Sequence, residues 1–370
     1  MSTTTMKQFW VIAVVVGWLA GALDATRSSG QAVQPQYLPL GSISATPTVC
    51  ATNAATSATC YSMTETCPNT DLISGQIAVA TPAGSPAGTI VLIGGKPIGA
   101  YFGAETGAGS ADQFANSFLG LASPAASPGF NTVQATWSTD PGTASASGAY
   151  PNNMRAAWCR GATLIRWAYD HVHLDNLNKG FCVMAHSEGG CFGAEALTYY
   201  GAYQYVDFFL GSTTPVCGDF YKGCTCTSGC SNTICTGDSF SYKMPAGSTS
   251  YPATWLGAGT CQANSGAGPL YQGDAAVEIE SSLDNPAGAT FTFPQTSVHT
   301  YQAYQSDEEP AQAMFWLNQL TVMGGGGPTT SCYSGSVSDG EAWWTTNGTT
   351  PTTAYTTAVN DMIASCVPNH

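Results

Sequence analysis

The segment Phe181-Cys182-Val183-Met184-Ala185-His186-Ser187-Glu188-Gly189-Gly190 constrains the fold of this chain more than any other. Phe181 to Ala185 is an uncharged run that reads as a buried strand. From Gly190 to Tyr200 the period becomes helical, with Ala194, Leu197 and Tyr200 on one face. The two are joined by a turn with a serine at its tip. A serine on so sharp a turn has strained backbone angles, and bulk two residues to either side would clash. Ala185 and Gly189 meet that demand. The turn lifts the Ser187 hydroxyl above the carboxyl end of a sheet. It also brings the amide of Glu188, at a helix N-terminus, toward charge developing on a bound oxygen.

The flanking sequence places this turn in an alternating pattern. Ile77 to Ala80, Thr89 to Ile93, Val133 to Trp137, Val206 to Leu210 and Ser297 to Tyr304 are strand candidates. Residues 154–170 carry Ala157, Trp158, Gly161, Leu164, Ile165 and Ala168 at helical spacing. A helix is expected over Pro310 to Leu320, with proline near its first turn, and another over residues 353–365. Residues 103–129 read as loop with one short helix, and Gly324 to Gly327 as a flexible connector. Strand–helix alternation implies a mostly parallel sheet with right-handed crossovers and helices on both faces, an α/β fold.

Composition bounds what such a protein touches. Only 9% of the 370 residues are charged, against roughly 25% in ordinary soluble domains. The net charge is −14 with nine lysines and arginines and no basic run. Nucleic acid is excluded as an expected partner, because binding it needs clustered cations; docking on an anionic lipid surface is disfavoured likewise. Fourteen cysteines in a polar, charge-poor chain point to export into an oxidising compartment. Lys7 followed by an apolar run from Phe9 to Leu23 suits a signal peptide. That run is short of the roughly 20 residues of a membrane span, but Trp10 and Trp18 also suit a retained anchor.

The expected organisation is therefore residues 1–25 as signal peptide or membrane anchor and 26–72 as a linker plus a segment stapled by Cys50, Cys60 and Cys67. Residues 73–212 and 266–370 form the core, with 213–265 a cysteine-rich cap. Cys224, Cys226, Cys230 and Cys235 suit disulfides better than zinc, since no histidine lies nearby. Cys332 and Cys366 are expected to clamp the C-terminal tail. No phosphate loop, dinucleotide fingerprint or metal motif appears, and no cofactor is expected. Asn347-Gly348-Thr349 is a glycosylation sequon, and Trp343 and Trp344 read as core or as a docking patch.

The A-x-S-x-G turn between strand and helix resembles that of the α/β-hydrolase superfamily, particularly exported esterase-like and lipase-like members, over roughly residues 75–366. The resemblance implies Ser187 as nucleophile, with the amide of Glu188 as one oxyanion donor. It implies Ile93-Gly94-Gly95-Lys96 as the loop supplying a second donor, Gly95 or Lys96. It also implies an acid after a late strand, where Asp307 fits best and Glu308 is the fallback.

The same resemblance calls for a histidine between Tyr333 and Pro351, and that stretch has none. The five histidines are His171, His173, His186, His299 and His370. His171, His173 and His299 fall toward the far end of the sheet. His186 adjoins Ser187, but the turn sends neighbouring side chains apart. His370 follows the last helix. Asp339 or Glu341 occupy the loop, but a carboxylate is a poor match for a serine proton. The expected function is thus a non-catalytic structural or binding subunit, with partners in a membrane-associated assembly. The alternative is a carboxylesterase acting on a small ester through Ser187 with an unconventional base.

Overall fold

The computed structural model describes residues 37–51, 54–55, 57–95, 101–102, 112–120, 129–139, 154–212, 214–215, 217–219, 231–232, 240–241, 282–303, 309–333 and 353–370. These lie within the unit Tyr37–His370. Strands β1 (Ser42–Thr48), β2 (Thr59–Thr66), β3 (Ile73–Ala80) and β4 (Gly88–Ile93) come first. Helix α1 (Asp112–Phe118), β5 (Asn131–Trp137) and α2 (Met154–Ala168) follow. Then come β6 (Gly180–His186), α3 (Glu188–Tyr199) and β7 (Phe208–Ser212). A small hairpin, β8 (Ser231–Asn232) and β9 (Phe240–Ser241), precedes β10 (Ser297–Ala303) and α4 (Glu309–Leu317). The chain closes with β11 (Thr329–Tyr333) and α5 (Thr353–Ser365).

Among the described residues, nine strands form one sheet in the order β1-β2-β3-β5-β4-β6-β7-β10-β11. The ladders among β1, β2, β3 and β5 are antiparallel, and every ladder from β5 to β11 is parallel. Period-2 alternation splits β6 between two cores. Phe181, Val183 and Ala185 pack on one face with Trp158 and Ile165 of α2, Phe192 of α3 and Trp316 of α4. Cys182 and Met184 pack on the other with Phe118 of α1 and Ala354, Ala358 and Met362 of α5. A strand buried on both faces has no polar side, which is why this run is apolar throughout.

Several expectations are corrected. The linker and stapled segment expected over 26–72 contributes β1 and β2 to the main sheet. Its residues are polar because these strands stand at the open margin, and Pro47 is tolerated on an edge strand. Cys50 pairs with Cys60, but Cys67 reaches across to Cys159 in α2. Cys366, whose partner the sequence leaves open, bridges to Cys182 in β6, so the tail is pinned to the central strand. Gly324 and Gly325 adopt positive φ in a turn closed by Gly325 N donating to Val322 O, and β11 follows them. Four bridges among the described residues indicate an oxidising compartment. Among those residues no helix is long and apolar enough to cross a membrane. The sequon, Trp343, Trp344 and the four central cysteines fall outside the described residues.

Candidate active site

From β4 the chain moves outward to β5, then returns to place β6 on the other side of β4. The crevice at the carboxyl ends of β4 and β6 is therefore the topological switch point, where open α/β sheets bind ligands. Gly94 and Gly95 follow β4 there, and Ser187 follows β6.

Ser187 has φ 48° and ψ −121°, a conformation that costs an L-residue on the order of 1–3 kcal/mol. The surroundings hold it there. Its amide donates to Ser212 O at 3.1 Å, and its carbonyl accepts from Gly190 N at 3.0 Å. Thr214 Oγ1 donates to the same carbonyl at 2.5 Å. Gln302 Nε2, near the carboxyl end of β10, donates to Thr214 O at 3.1 Å and ties that strand to the floor of the turn. A β-carbon on Gly189 would stand 2.3 Å from Ile93 O and 2.4 Å from Gly94 O, so the glycine permits β4 to approach the turn. A β-carbon on Gly95 would stand 3.1 Å from Ser187 Cβ and 3.6 Å from its Oγ. The structure thus joins Ser187, Gly95 and the start of α3 at Glu188. Ser212, Thr214 and Gln302 complete the support; no local motif marks them, because their role depends on strands that become neighbours only in the folded sheet. Lys96, Asp307, Glu308, Asp339 and Glu341 lie outside the described residues. Strand β10 itself lies two strands from β6, or roughly 10 Å across the sheet.

All five histidines are described, and none is hydrogen-bonded to the Ser187 hydroxyl. His171 lies beside Trp167 O and His173 beside Thr89 Oγ1 at the start of β4. His370 pairs with Asp207, just before β7. His299 contacts Asp361 of α5 and Ser331 of β11. His186 is nearest, with its Cδ2 edge over Gly95. Its Nδ1 is 3.2 Å from Ser212 O, an acceptor only, so Nδ1 carries the proton and Nε2 is the basic nitrogen. Burial pushes its pKa down to about 4, against the Ser212 carbonyl bond that favours the cation. Such a ring stays neutral at pH 7 and is a feeble base.

A mostly parallel sheet covered on both faces, a strained serine between its central strand and a helix, and a neighbouring glycine loop packed on that serine define the α/β-hydrolase fold. No protein-family model and no curated protein matches this chain. Among solved structures it is similar to acetyl xylan esterase 1 from Thermoanaerobacterium sp., at 13% identity over 79% of this chain and 80% of that one, with a TM-score of 0.43. It is similar to a thermostable carboxylesterase from a metagenomic library, at 12% identity over 90% and 92%, TM-score 0.44. A third is carboxyl esterase 2 from the fungus Tuber melanosporum, at 12% identity over 86% and 90%, TM-score 0.42. The fold assignment rests on the strand order and the Ser187 turn, not on these likenesses.

Proposed function

We propose that this chain is an exported esterase-like serine hydrolase built on Ser187 and working without the usual imidazole base. The observation that carries this reading is the strained Ser187 turn, held by Ser212 and Thr214, with Gly95 against its hydroxyl. That arrangement supports nucleophilic attack by Oγ on a small ester. The amides of Glu188 and of Gly95 or Lys96 are the proposed oxyanion donors, and Asp307 or Glu308 the proposed acid. Residues 213–265 are proposed to cap the site, supported by the Cys191–Cys217 bridge from α3 to the start of that stretch. Export rests on the disulfides and the apolar run Phe9 to Leu23. With neither His186 nor a carboxylate matched to a serine proton, turnover is expected to be slow. Oxyanion stabilisation and binding alone supply roughly 10³–10⁴ over water when a triad member is missing.

The positions of the five imidazoles favour a second reading, a non-catalytic binding or structural subunit, partnered in a membrane-associated assembly and tethered through residues 9–23. Reaction with a fluorophosphonate separates the two. A stoichiometric adduct located on Ser187, and absent in a folded Ser187→Ala variant, supports the hydrolase. A folded protein that never acquires an adduct at Ser187 removes that reading and leaves the second.

A further inference from the structure

A hydrogen-bonded Ser–His–Asp array stands elsewhere in the molecule. His299 in β10 lies with Nε2 2.9 Å from Ser331 Oγ in β11 and with Nδ1 on Asp361 Oδ2 of α5. Asp361 is itself held on both oxygens. Tyr301 OH donates to Oδ2 at 3.0 Å and Ser365 Oγ to Oδ1 at 3.1 Å. The tertiary structure brings these residues together from two neighbouring strands and a helix. Tyr301 and Ser331 are register partners, so Ser331 shares the α5 face with Tyr301, and His299 joins them two residues earlier. The His299 ring packs on Tyr301 with centroids 4.6 Å apart, which limits its rotation.

Each member has the relation to its neighbour that nucleophilic catalysis requires. The hydroxyl faces one imidazole nitrogen, and a carboxylate faces the other. A carboxylate acceptor at Nδ1 places that nitrogen's proton toward Asp361 and leaves Nε2 to receive one from Ser331. Burial alone would raise the Asp361 pKa, but its bonds from His299, Tyr301 and Ser365 hold it below the ordinary carboxylate value, so it is ionised at neutral pH. The array is also reachable. The side chains of His299 and Asp361 are 17% and 23% exposed, Ser331 is partly exposed, and β11 is the last strand of the sheet among the described residues. Ser331 sits in the same register row as His186, three strands away, or roughly 14 Å across the sheet. It is therefore a different centre from Ser187.

We propose that Ser331, His299 and Asp361 form a second nucleophilic centre that accepts the acyl group of small, unhindered esters. Ser331 Oγ bonds to the acyl carbon as its proton passes to His299 Nε2. The ester C–O bond breaks, and the leaving alkoxide takes that proton to depart as an alcohol. Water then attacks the acyl-serine, gives its proton to Nε2 and releases the acid, and Ser331 recovers the proton. Asp361 faces the imidazolium in both halves. The centre does not depend on the reading of Ser187.

The test uses the full chain and a small fluorophosphonate. Oγ bonds to phosphorus, fluoride leaves, and the hydroxyl proton passes to His299. Lysine and arginine are absent after Lys243, so adducts are located after reduction and chymotryptic digestion. The expected result is an adduct on Ser331 that persists in Ser187→Ala and disappears in Ser331→Ala. Asp361→Asn and His299→Gln should each slow its formation at least tenfold, with melting checked to show that α5 remains docked. A folded wild-type protein with no adduct on Ser331 would overturn the proposal. So would a Ser331 adduct forming at the same rate in a folded His299→Gln variant. An adduct on Ser187 is scored separately, so either centre can fail without the other.

Discussion

Gly95 lies against Ser187 so closely that a β-carbon on the glycine would stand 3.1 Å from Ser187 Cβ and 3.6 Å from its hydroxyl oxygen. The same β-carbon would stand 3.2 Å from His186 Cδ2. Glycine therefore keeps the mouth of the turn clear. Gly95→Val is expected to slow fluorophosphonate capture at Ser187 by at least ~10-fold, equivalent to about 1.4 kcal/mol of barrier. Rate measurement on the Ser187 peptide checks it; an unchanged rate would remove Gly95 from the site.

The backbone strain at Ser187 predicts a stability trade. Ser187→Gly removes the β-carbon that makes φ 48° costly and should stabilise the protein by about 1 kcal/mol, less than the full strain because glycine also loosens the unfolded chain. Ser187→Ala keeps a β-carbon and should show no such gain. Urea unfolding of the two variants side by side distinguishes strain from simple loss of the hydroxyl.

Glu65 is fully buried beneath Trp137, whose Nε1 donates to Oε2 at 2.8 Å. Burial pushes its pKa up to about 8, against the opposing pull of Trp137 and Arg160. Between the ordinary carboxylate range and pH 8 the folded protein holds a proton that the unfolded chain has released. Folding stability then falls as pH rises through that window. Glu195, also pushed up to about 8 by burial, contributes in the same direction. Thermal melts should show Tm falling from pH 5 to pH 8. In Glu65→Gln that fall should be smaller by ~3 °C or more. An identical pH dependence in the variant would place the proton elsewhere.

Cys182 and Cys366 close a loop with a sequence separation of 184 and tie the end of α5 to the central strand. The double variant Cys182→Ala/Cys366→Ala should lose about 3 kcal/mol, within the usual range for a native bridge. The urea midpoint reports it. A midpoint unchanged from wild type would mean that α5 is held by its apolar face alone.

The local sequence was sufficient wherever one element carries its own signal. Phe181 to Gly190 contains an uncharged strand, small residues at both required positions and a helix start, so the Ser187 turn is legible without any partner. Helix α5 is legible in the same way, through the spacing of Ala354, Ala358 and Met362. Strands β2 and β11 are not. Their runs Thr59–Thr66 and Thr329–Tyr333 are polar and become strands only when a neighbour supplies the ladder. The missing loop histidine is likewise a statement the residues make alone, because composition decides it. Where the five histidines go instead was decided by tertiary structure. His299 meets Ser331 and Asp361 across 32 and 62 residues of chain, and Cys366 meets Cys182 across 184. Side-chain period and turn chemistry act over a few residues, whereas such pairs depend on sheet order and on which face each helix covers.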